Sequence, residues 1–137
     1  MNWKGTDSMI GERIFTGSPY EDKAAYARAV VVDGWVLVSG TTGFDAEAFT
    51  FPEDVETQCE NCFRNIAWAL GQAGASLADL VRVVIYVTSQ AEFERILPII
   101  RKHCEAARPA NTTVFAQLVQ PHMRVEIEAT ARLPKAG

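Results

Sequence analysis

The chain has 137 residues and a mass of 15.1 kDa, a size that suits one folded domain. Hydrophobic residues make up 48% of the chain and charged residues 22%, which excludes an intrinsically disordered protein. The formal net charge of −4 repels phosphate backbones, so binding of nucleic acid is not expected. No apolar run approaches the roughly 20 residues that cross a bilayer, and we expect no membrane association.

The N-terminal segment lacks the apolar stretch of a signal peptide, and the three cysteines are an odd number for a disulfide framework. Both features favour the reducing cytoplasm as the location of the protein. We expect a single domain over residues 1–137, with residues 1–12 as a frayed tail. A short strand over 13–16 and a loop over 18–24 are predicted to follow.

The most specific local signal is a β-hairpin. Ala29–Val32 and Trp35–Val38 are runs of β-branched and aromatic residues, which favour strands. The two residues between them are Asp33 and Gly34, a dipeptide that accepts the positive φ angles of a type I′ turn. The hairpin is expected to end in a turn at Ser39–Gly43.

Two amphipathic helices are predicted downstream. The first begins at Thr50, which has capping-box spacing to Glu53, and it ends at Gly74. Its apolar residues recur at steps of three and four: Val55, Cys59, Cys62, Ile66, Leu70 and Ala73. The second helix has an apolar stripe of the same kind: Phe93, Ile96, Leu97, Ile100 and Cys104. Pro98 lies inside this second helix and is expected to kink it or start it afresh.

Three further strands complete the chain. Val81–Val87 is a largely buried strand, and residues 111–118 are rich in Thr, Val and Phe. In the last strand, residues 125–132, apolar side chains alternate with Glu126, Glu128 and other polar ones. The order β-β-α-β-α-β-β predicts an α+β fold with one mixed sheet and two helices packed on one face. The other face of the sheet then meets either water or a partner subunit.

Cys59 and Cys62 form a C-x-x-C pair, but they lie inside the first helix on its apolar stripe. Redox pairs lie at a helix N-terminus, and a structural zinc site needs four ligands. Core packing is therefore the preferred interpretation, and no metal is expected. The chain also has no G-x-S-x-G turn for a serine nucleophile and no glycine-rich phosphate loop.

The last strand carries the clearest polar pattern. Glu126 and Glu128 are two residues apart, so both carboxylates face the same side of the sheet. Arg124 has the same parity and is predicted to share that side. A solvated ladder of charges and the floor of a polar pocket explain this pattern equally well.

These segments, in this order and at these spacings, resemble the RidA (YjgF) family, also called endoribonuclease L-PSP. The resemblance covers about residues 26–133. The matching segments are Tyr26–Ala29, Val32–Gly34, Val38–Gly43, Asn65–Ile66, Leu70–Gly74, Leu80–Val81, Ile85–Thr88, Arg108–Ala110 with Val114, and Val125–Ala129. The resemblance implies a chorismate-mutase-like fold, a homotrimer whose sheets face inward, and ligand clefts between subunits. It also implies hydrolysis of reactive enamines and imines without metal or cofactor.

The resemblance assigns roles to individual residues. Glu126 corresponds to the glutamate that positions water, and Tyr26 to the tyrosine before the hairpin; these are the candidate catalytic residues. Ser39 and Gly40 correspond to a hydroxyl and a backbone N–H that bind the ligand, and Thr113 to a residue whose backbone contacts it.

Asn111 stands where the family has its arginine, and Leu97 lies near the position of a family asparagine. A guanidinium binds a carboxylate through two charge-assisted hydrogen bonds, whereas an amide offers one neutral bond. The difference is about 1.5–3 kcal/mol, so the usual deamination of 2-imino acids is not expected. Arg124 or Arg28 is a candidate replacement for the missing cation, although a surface role is the more common one for an arginine.

Three functions follow from this pattern. The first is a small-molecule site between subunits that takes a small carboxylate, imine or enamine metabolite, with altered hydrolytic chemistry. The second is a binding or regulatory module that kept the cleft and lost catalysis. The third is ribonuclease activity, which the acidic composition and the absence of a basic patch disfavour.

Overall fold

The computed structural model describes residues 10–135. Its strands are β1 (Glu12–Ile14), β2 (Ala29–Val32), β3 (Trp35–Thr42), β4 (Leu80–Val87), β5 (Ala110–Phe115) and β6 (Val125–Arg132). Its α-helices are α1 (Pro19–Lys23), α2 (Val55–Gln72) and α3 (Gln90–Cys104), and a 3-10 turn spans Leu77–Asp79. The strands form one mixed sheet in the order β1-β2-β3-β6-β4-β5, in which β4 and β5 are parallel. The α+β order with one mixed sheet and two long helices is therefore confirmed.

The predicted hairpin is the pair β2–β3. Val32 lies opposite Trp35, and Asp33 and Gly34 have φ angles of 52° and 82°, as a type I′ turn requires. The predicted turn at Ser39–Gly43 is wrong, because β3 continues to Thr42. A register shift between Val38 and Thr41 lets the strand pair with β6 on both sides of the irregularity.

The first long helix begins later than the capping-box spacing predicts. Thr50 instead pairs with Asp45 in an isolated bridge, and α2 starts at Val55. The side chain of Asp54 accepts a hydrogen bond from the Thr57 backbone N–H at 2.9 Å and caps the helix. The end is as predicted, since Gly74 follows the last turn with a φ of 85°.

α3 runs without a break through Pro98, so the expected restart of the helix is wrong. The proline removes one backbone donor, and the carbonyl left unpaired belongs to Glu94. Glu94 and Pro98 both lie on the exposed side of the helix, where water can satisfy that carbonyl. The buried side of α3 is unaffected, and Ile96 and Ile100 pack in the core.

The N-terminal part of the chain is more ordered than the sequence predicts. The expected frayed tail lies partly outside the described residues, but Glu12 belongs to β1 and pairs with Val31. The predicted loop over 18–24 contains α1, which Ser18 caps by accepting from the Tyr20 backbone N–H at 3.3 Å. No helix within residues 10–135 is long and apolar enough to cross a membrane.

Both long helices pack on one face of the sheet and enclose the core. Alternate residues of β6 point into it and are buried: Val125, Ile127, Ala129 and Ala131. The intervening residues of the strand point to the opposite face, which neither α2 nor α3 covers. Leu37 lies on this open face with 45% of its surface exposed, beside Thr130 of β6.

Candidate functional site

Glu126 lies on the open face, at the point where β6 meets both neighbouring strands. Its Cα partners are Thr42 on β3 and Tyr86 on β4. Its carboxylate lies directly over Gly40, where an added Cβ would be 2.1 Å from the carboxylate Oε2. Only glycine at position 40 therefore leaves room for the carboxylate in this position.

The surroundings of Glu126 favour its protonated form. Burial raises the pKa of the Glu126 carboxyl above its usual value, and the negative charge of Glu128 raises it further. The positive charge of Arg28 acts in the opposite direction. Within residues 10–135 no hydrogen-bond donor reaches the Glu126 side chain. The carboxyl group is thus free to exchange a proton with a bound molecule.

Arg28 joins this site from the segment before β2. Its backbone is fixed on both sides, because its N–H donates to Ile14 O at 2.8 Å and its carbonyl accepts from Ser39 N at 3.0 Å. Its guanidinium Nη2 donates to Gly40 O at 2.7 Å, and its Cζ lies 5.9 Å from the centre of the Tyr26 ring. The structure therefore brings Tyr26, Arg28 and Gly40 together with Glu126.

Ser39 belongs to the same cluster. Its hydroxyl donates to the Ala27 carbonyl at 2.7 Å and ties β3 to the segment that carries Tyr26 and Arg28. The hydroxyl predicted to bind a ligand is therefore engaged with the backbone, and it positions its neighbours.

Glu128 differs from Glu126 although it lies on the same strand and face. The Tyr86 hydroxyl donates to Glu128 Oε1 at 2.6 Å, and this bond raises the pKa of Tyr86. Glu128 therefore has a hydrogen-bond partner, whereas Glu126 has none between residues 10 and 135. The two carboxylates on this face are therefore not equivalent, and the face is not a uniform ladder of charges. Glu126 is the carboxylate that is available to react.

Arg124 does not share the face of Glu126, so that prediction is wrong. The residue precedes the start of β6, and strand parity does not extend to it. Its guanidinium pairs with the Glu92 carboxylate of α3 and donates to Glu53 O at 2.8 Å, on the helix side of the sheet. There it lines a cavity of about 440 Å³ together with Phe51 and His122.

Asn111 and Thr113 lie on β5, at the far edge of the sheet. Their Cα partners on β4 are Val83 and Ile85, which are buried against the helices, so both side chains lie on the helix side. The Thr113 hydroxyl donates to Asn111 Oδ1 at 2.8 Å. Two strands separate them from β3, and within one chain the structure does not bring them to Glu126.

Sequence reasoning missed two features of the site. It considered Arg28 most often a surface residue, and it gave no role to Tyr86. A periodicity argument could have placed Tyr86 on the face of Glu128, since both lie in strands with alternating burial. The close approach of Gly40 to Glu126 depends on strand register, which the sequence does not specify.

The cysteines are core residues, as the helical stripe predicts. Cys59, Cys62 and Cys104 are buried free thiols, and Cys62 donates to Thr41 O at 3.3 Å. Burial raises the pKa of Cys59 to about 12. Within the described part of the chain, no group of three or more His, Cys, Asp or Glu side chains is arranged to hold a metal ion.

The mixed sheet, the two helices on one face and the polar cluster on the other define a small α+β protein with the chorismate-mutase-like fold. The family model described as Endoribonuclease L-PSP matches residues 17–133. The chain belongs to this family, whose members are also named YjgF and RidA.

Several relatives cover nearly the whole chain. A RutC family protein of Aquifex aeolicus is 30% identical over 108 residues, which are 77% of this chain and 86% of that protein. Another from Pyrococcus abyssi is 27% identical over 124 residues, 90% of this chain and 98% of its own. A crystal structure of a YjgF/YER057c/UK114 family member from Mycobacterium tuberculosis has a TM-score of 0.81 and 36% identity, with 89% of this chain and 98% of that chain covered.

Proposed function

We propose that the protein is a cytoplasmic homotrimer that hydrolyses a small imine or enamine, without metal or cofactor, in a cleft between subunits. The observation that carries this proposal is Glu126, a partly buried carboxyl with a raised pKa and no hydrogen-bond donor among the residues that the structure describes. Such a group suits general acid–base catalysis, because it can take a proton and give it back. The resemblance of the sequence to the RidA family implies the same reaction class.

The trimer is supported by the open face of the sheet. Trp35, Leu37 and Val114 lie there with 40–45% of their surfaces exposed. They lie on the same face as Glu126, on β3 and β5, and a partner subunit that covered them would remove apolar surface from water. Partner coverage would also turn an open polar patch into an enclosed cleft.

The chemistry requires one water molecule and one carboxyl group. Ionised Glu126 takes a proton from water while the water oxygen bonds to the C=N carbon. The same group then returns that proton to the nitrogen, which gives a carbinolamine. A second proton passes from the carbinolamine hydroxyl through the carboxyl group to the nitrogen, the C–N bond breaks, and ammonia leaves with a carbonyl product. Tyr26 lies at the edge of this site, where its ring and hydroxyl can orient the substrate.

In this proposal, Asn111 and Thr113 reach a ligand at Glu126 only if they belong to a second subunit. Because β5 lies two strands away from β6 and these side chains point to the opposite side of the sheet, β5 of a neighbour would have to bring them to Glu126. The amide of Asn111 binds a carboxylate more weakly than a guanidinium. We therefore propose that 2-iminobutyrate and 2-aminoacrylate are poor substrates and that the physiological imine differs from them.

A non-catalytic binding module is the second candidate. The observation that favours it is Asn111 itself, because the neutral side chain removes a substrate contact and leaves the rest of the site intact. Binding of a ligand without turnover would identify this function. Ribonuclease activity is not proposed, because the net charge is −4 and the open face carries two glutamates.

The test is ammonia release from a panel of imines that an amino-acid oxidase generates in situ. Wild-type protein is expected to accelerate release from at least one imine, and Glu126→Gln is expected to abolish the acceleration. Glu128→Gln is the matched control, since it lies on the same strand and face but is bonded to Tyr86. Equal activity of Glu126→Gln and wild type would contradict the proposal.

A further inference from the structure

We infer that Arg28 is a positioning residue for Glu126: its guanidinium holds a bulge of β3 over which the Glu126 carboxyl group lies, and it keeps a positive charge beside that group. The inference rests on the proposed function, because it takes Glu126 as the acid–base group of the site. Arg28 then acts through the protein and needs no contact with the ligand. The pH range in which the site works depends on this residue.

The bulge is formed by Ser39 and Gly40. Between the paired positions of β3 and β6, these two residues stand opposite one residue of β6, Glu128. Two residues against one is the pattern of a β-bulge, which bends the strand and redirects the residues in it. Gly40 faces the open side of the sheet, where an added Cβ would be 2.1 Å from Glu126 Oε2. The bulge therefore sets the position of the backbone beneath the carboxyl group.

Side chains bind the carbonyl groups of the bulge. The Thr41 hydroxyl donates to Ser39 O at 2.8 Å, and Arg28 Nη2 donates to Gly40 O at 2.7 Å. The backbone of Arg28 is joined to the bulge as well, because its carbonyl accepts from Ser39 N at 3.0 Å. A hydrogen bond from a charged guanidinium is stronger than one from a neutral donor. Arg28 thus holds both residues of the bulge, and with them the backbone beneath Glu126.

The charge of Arg28 is not neutralised within residues 10–135. No carboxylate in that range forms an ion pair with it, and its Nε is buried without an acceptor. Arg124, by contrast, is paired with the Glu92 carboxylate. Arg28 and Glu126 both contact Gly40, so the cation lies near the carboxyl group without a hydrogen bond to it among the described residues. In this position the charge of Arg28 lowers the pKa of Glu126 against the effect of burial.

Other titratable groups surround Glu126, and within the part of the chain that the structure describes Arg28 is the cation among them. The others are Glu128 on β6, Tyr86 on β4, Tyr26 before β2 and Cys62 on α2. The charge of Glu128 acts against that of Arg28, and the Tyr86 hydroxyl is bonded to Glu128. Burial raises the pKa of the Cys62 thiol, so it stays neutral. Without Arg28, the remaining neighbours favour protonated Glu126.

The experiment titrates the Glu126 carboxyl carbon by NMR in isotope-labelled protein and records a pH–rate profile with the best imine substrate. Arg28→Gln keeps an amide donor but removes the charge, so the midpoint of the Glu126 titration should move to higher pH. The acid limb of the rate profile should move with it, because ionised Glu126 takes the proton from water. Arg28→Lys should return both toward wild type.

Arg132→Gln is the matched control. Arg132 also donates to a backbone carbonyl, Asp33 O at 2.7 Å, and its guanidinium lies over the Trp35 ring. It stands at the far end of β6 from Glu126, so its loss should leave the Glu126 midpoint unchanged.

The outcomes separate the two proposals, because the titration needs no turnover. Equal midpoints in Arg28→Gln and wild type would overturn the role of Arg28, and so would an Arg28→Lys midpoint that stays with that of Arg28→Gln. If the midpoint moves but no imine is hydrolysed, the proposed function fails and the positioning role stands. Hydrolysis with an unmoved midpoint means the reverse.

Should Arg28→Gln not fold, the NMR signal of the wild-type Arg28 guanidinium decides the question. It should shift with the midpoint of Glu126, and the shift should be absent in Glu126→Gln. A guanidinium signal that does not follow the Glu126 titration would overturn the inference.

Discussion

The two faces of the sheet are made from the same strands but have different roles. One face packs in the core and the other carries the candidate site. On β6 the helix-covered face carries Ile127, which is fully buried in the core, and the open face carries Glu126 next to it. The first side chain has its position fixed by close packing. The second has no hydrogen-bond donor within the described residues and an environment that disfavours its charge.

Within β6, the side chains on one face therefore stabilise the fold, and those on the other face are available for chemistry. Alternation places every second side chain in the core, so the strand is anchored whatever the other face carries. The open face can therefore hold groups that would be costly in the core, such as Glu126 beside Arg28. The site depends on the core because strand register fixes the distance between Gly40 and Glu126.

The largest effect is expected from the covered face. Ile127→Ala removes a fully buried side chain and should lower the free energy of unfolding by about 2–5 kcal/mol. Thr130→Ala, on the open face of the same strand, should cost under about 1 kcal/mol. Urea unfolding at one fixed protein concentration measures both. Equal losses would contradict the division between the faces.

The next effect concerns assembly. Leu37→Asp places a charge on the open face and should dissociate the trimer at micromolar concentration, because about 1.5–3 kcal/mol of apolar burial per subunit is lost. Trp68→Asp is the matched control on α2, where 45% of the tryptophan is exposed. Sedimentation velocity distinguishes the species. Wild-type protein that sediments as a monomer would refute the trimer.

A smaller effect is expected at β5. Asn111→Arg should tighten pyruvate binding about tenfold, the increment of one charge-assisted pair. The gain can arise only across a subunit boundary, because within one chain Asn111 and Glu126 lie on opposite sides of the sheet. Calorimetry on the variant therefore reports whether β5 of a neighbour lines the site. An unchanged affinity would place the ligand entirely on the hairpin side of the cleft.

The smallest effect is the dependence of stability on pH at Glu126. Its pKa is raised in the folded state, so the folded protein holds this proton more tightly than the unfolded chain, whose carboxyl titrates near 4.3. Stability from the bound proton is present below that pH and is lost as pH rises through the folded-state pKa. Glu126→Gln should therefore melt slightly higher than wild type at pH 7.

Below about pH 4 the melting difference between Glu126→Gln and wild type should vanish, because both side chains are then neutral. Glu47→Gln, at an exposed position, is the control. The difference in melting temperature between this variant and wild type should not change with pH in this way. Differential scanning calorimetry at the two pH values measures the effect. A Glu126→Gln variant that melts lower than wild type at pH 7 would mean that the carboxylate stabilises the fold.

Local signals of the sequence predicted much of the fold. The Asp-Gly turn and the flanking β-branched runs specified the β2–β3 hairpin, because few dipeptides accept two positive φ angles. The start of α2 was misplaced, since Asp54 offered a second cap four residues beyond Thr50 and local spacing could not choose between them. Pro98 was tolerated because its helix exposes the affected carbonyl, a fact of tertiary packing.

The sequence predicted only part of the site. Features set by residues close together along the chain were predicted, and contacts between distant residues were not. By itself the sequence determined the family, the order of the elements and the common face of Glu126 and Glu128, because these depend on alternation and on motifs along the chain. Only the tertiary structure decided that Arg28 meets Gly40, that Tyr86 engages Glu128, and that Arg124 turns to Glu92. Each of these contacts joins residues more than ten positions apart, and it forms because strand register and helix packing bring them together.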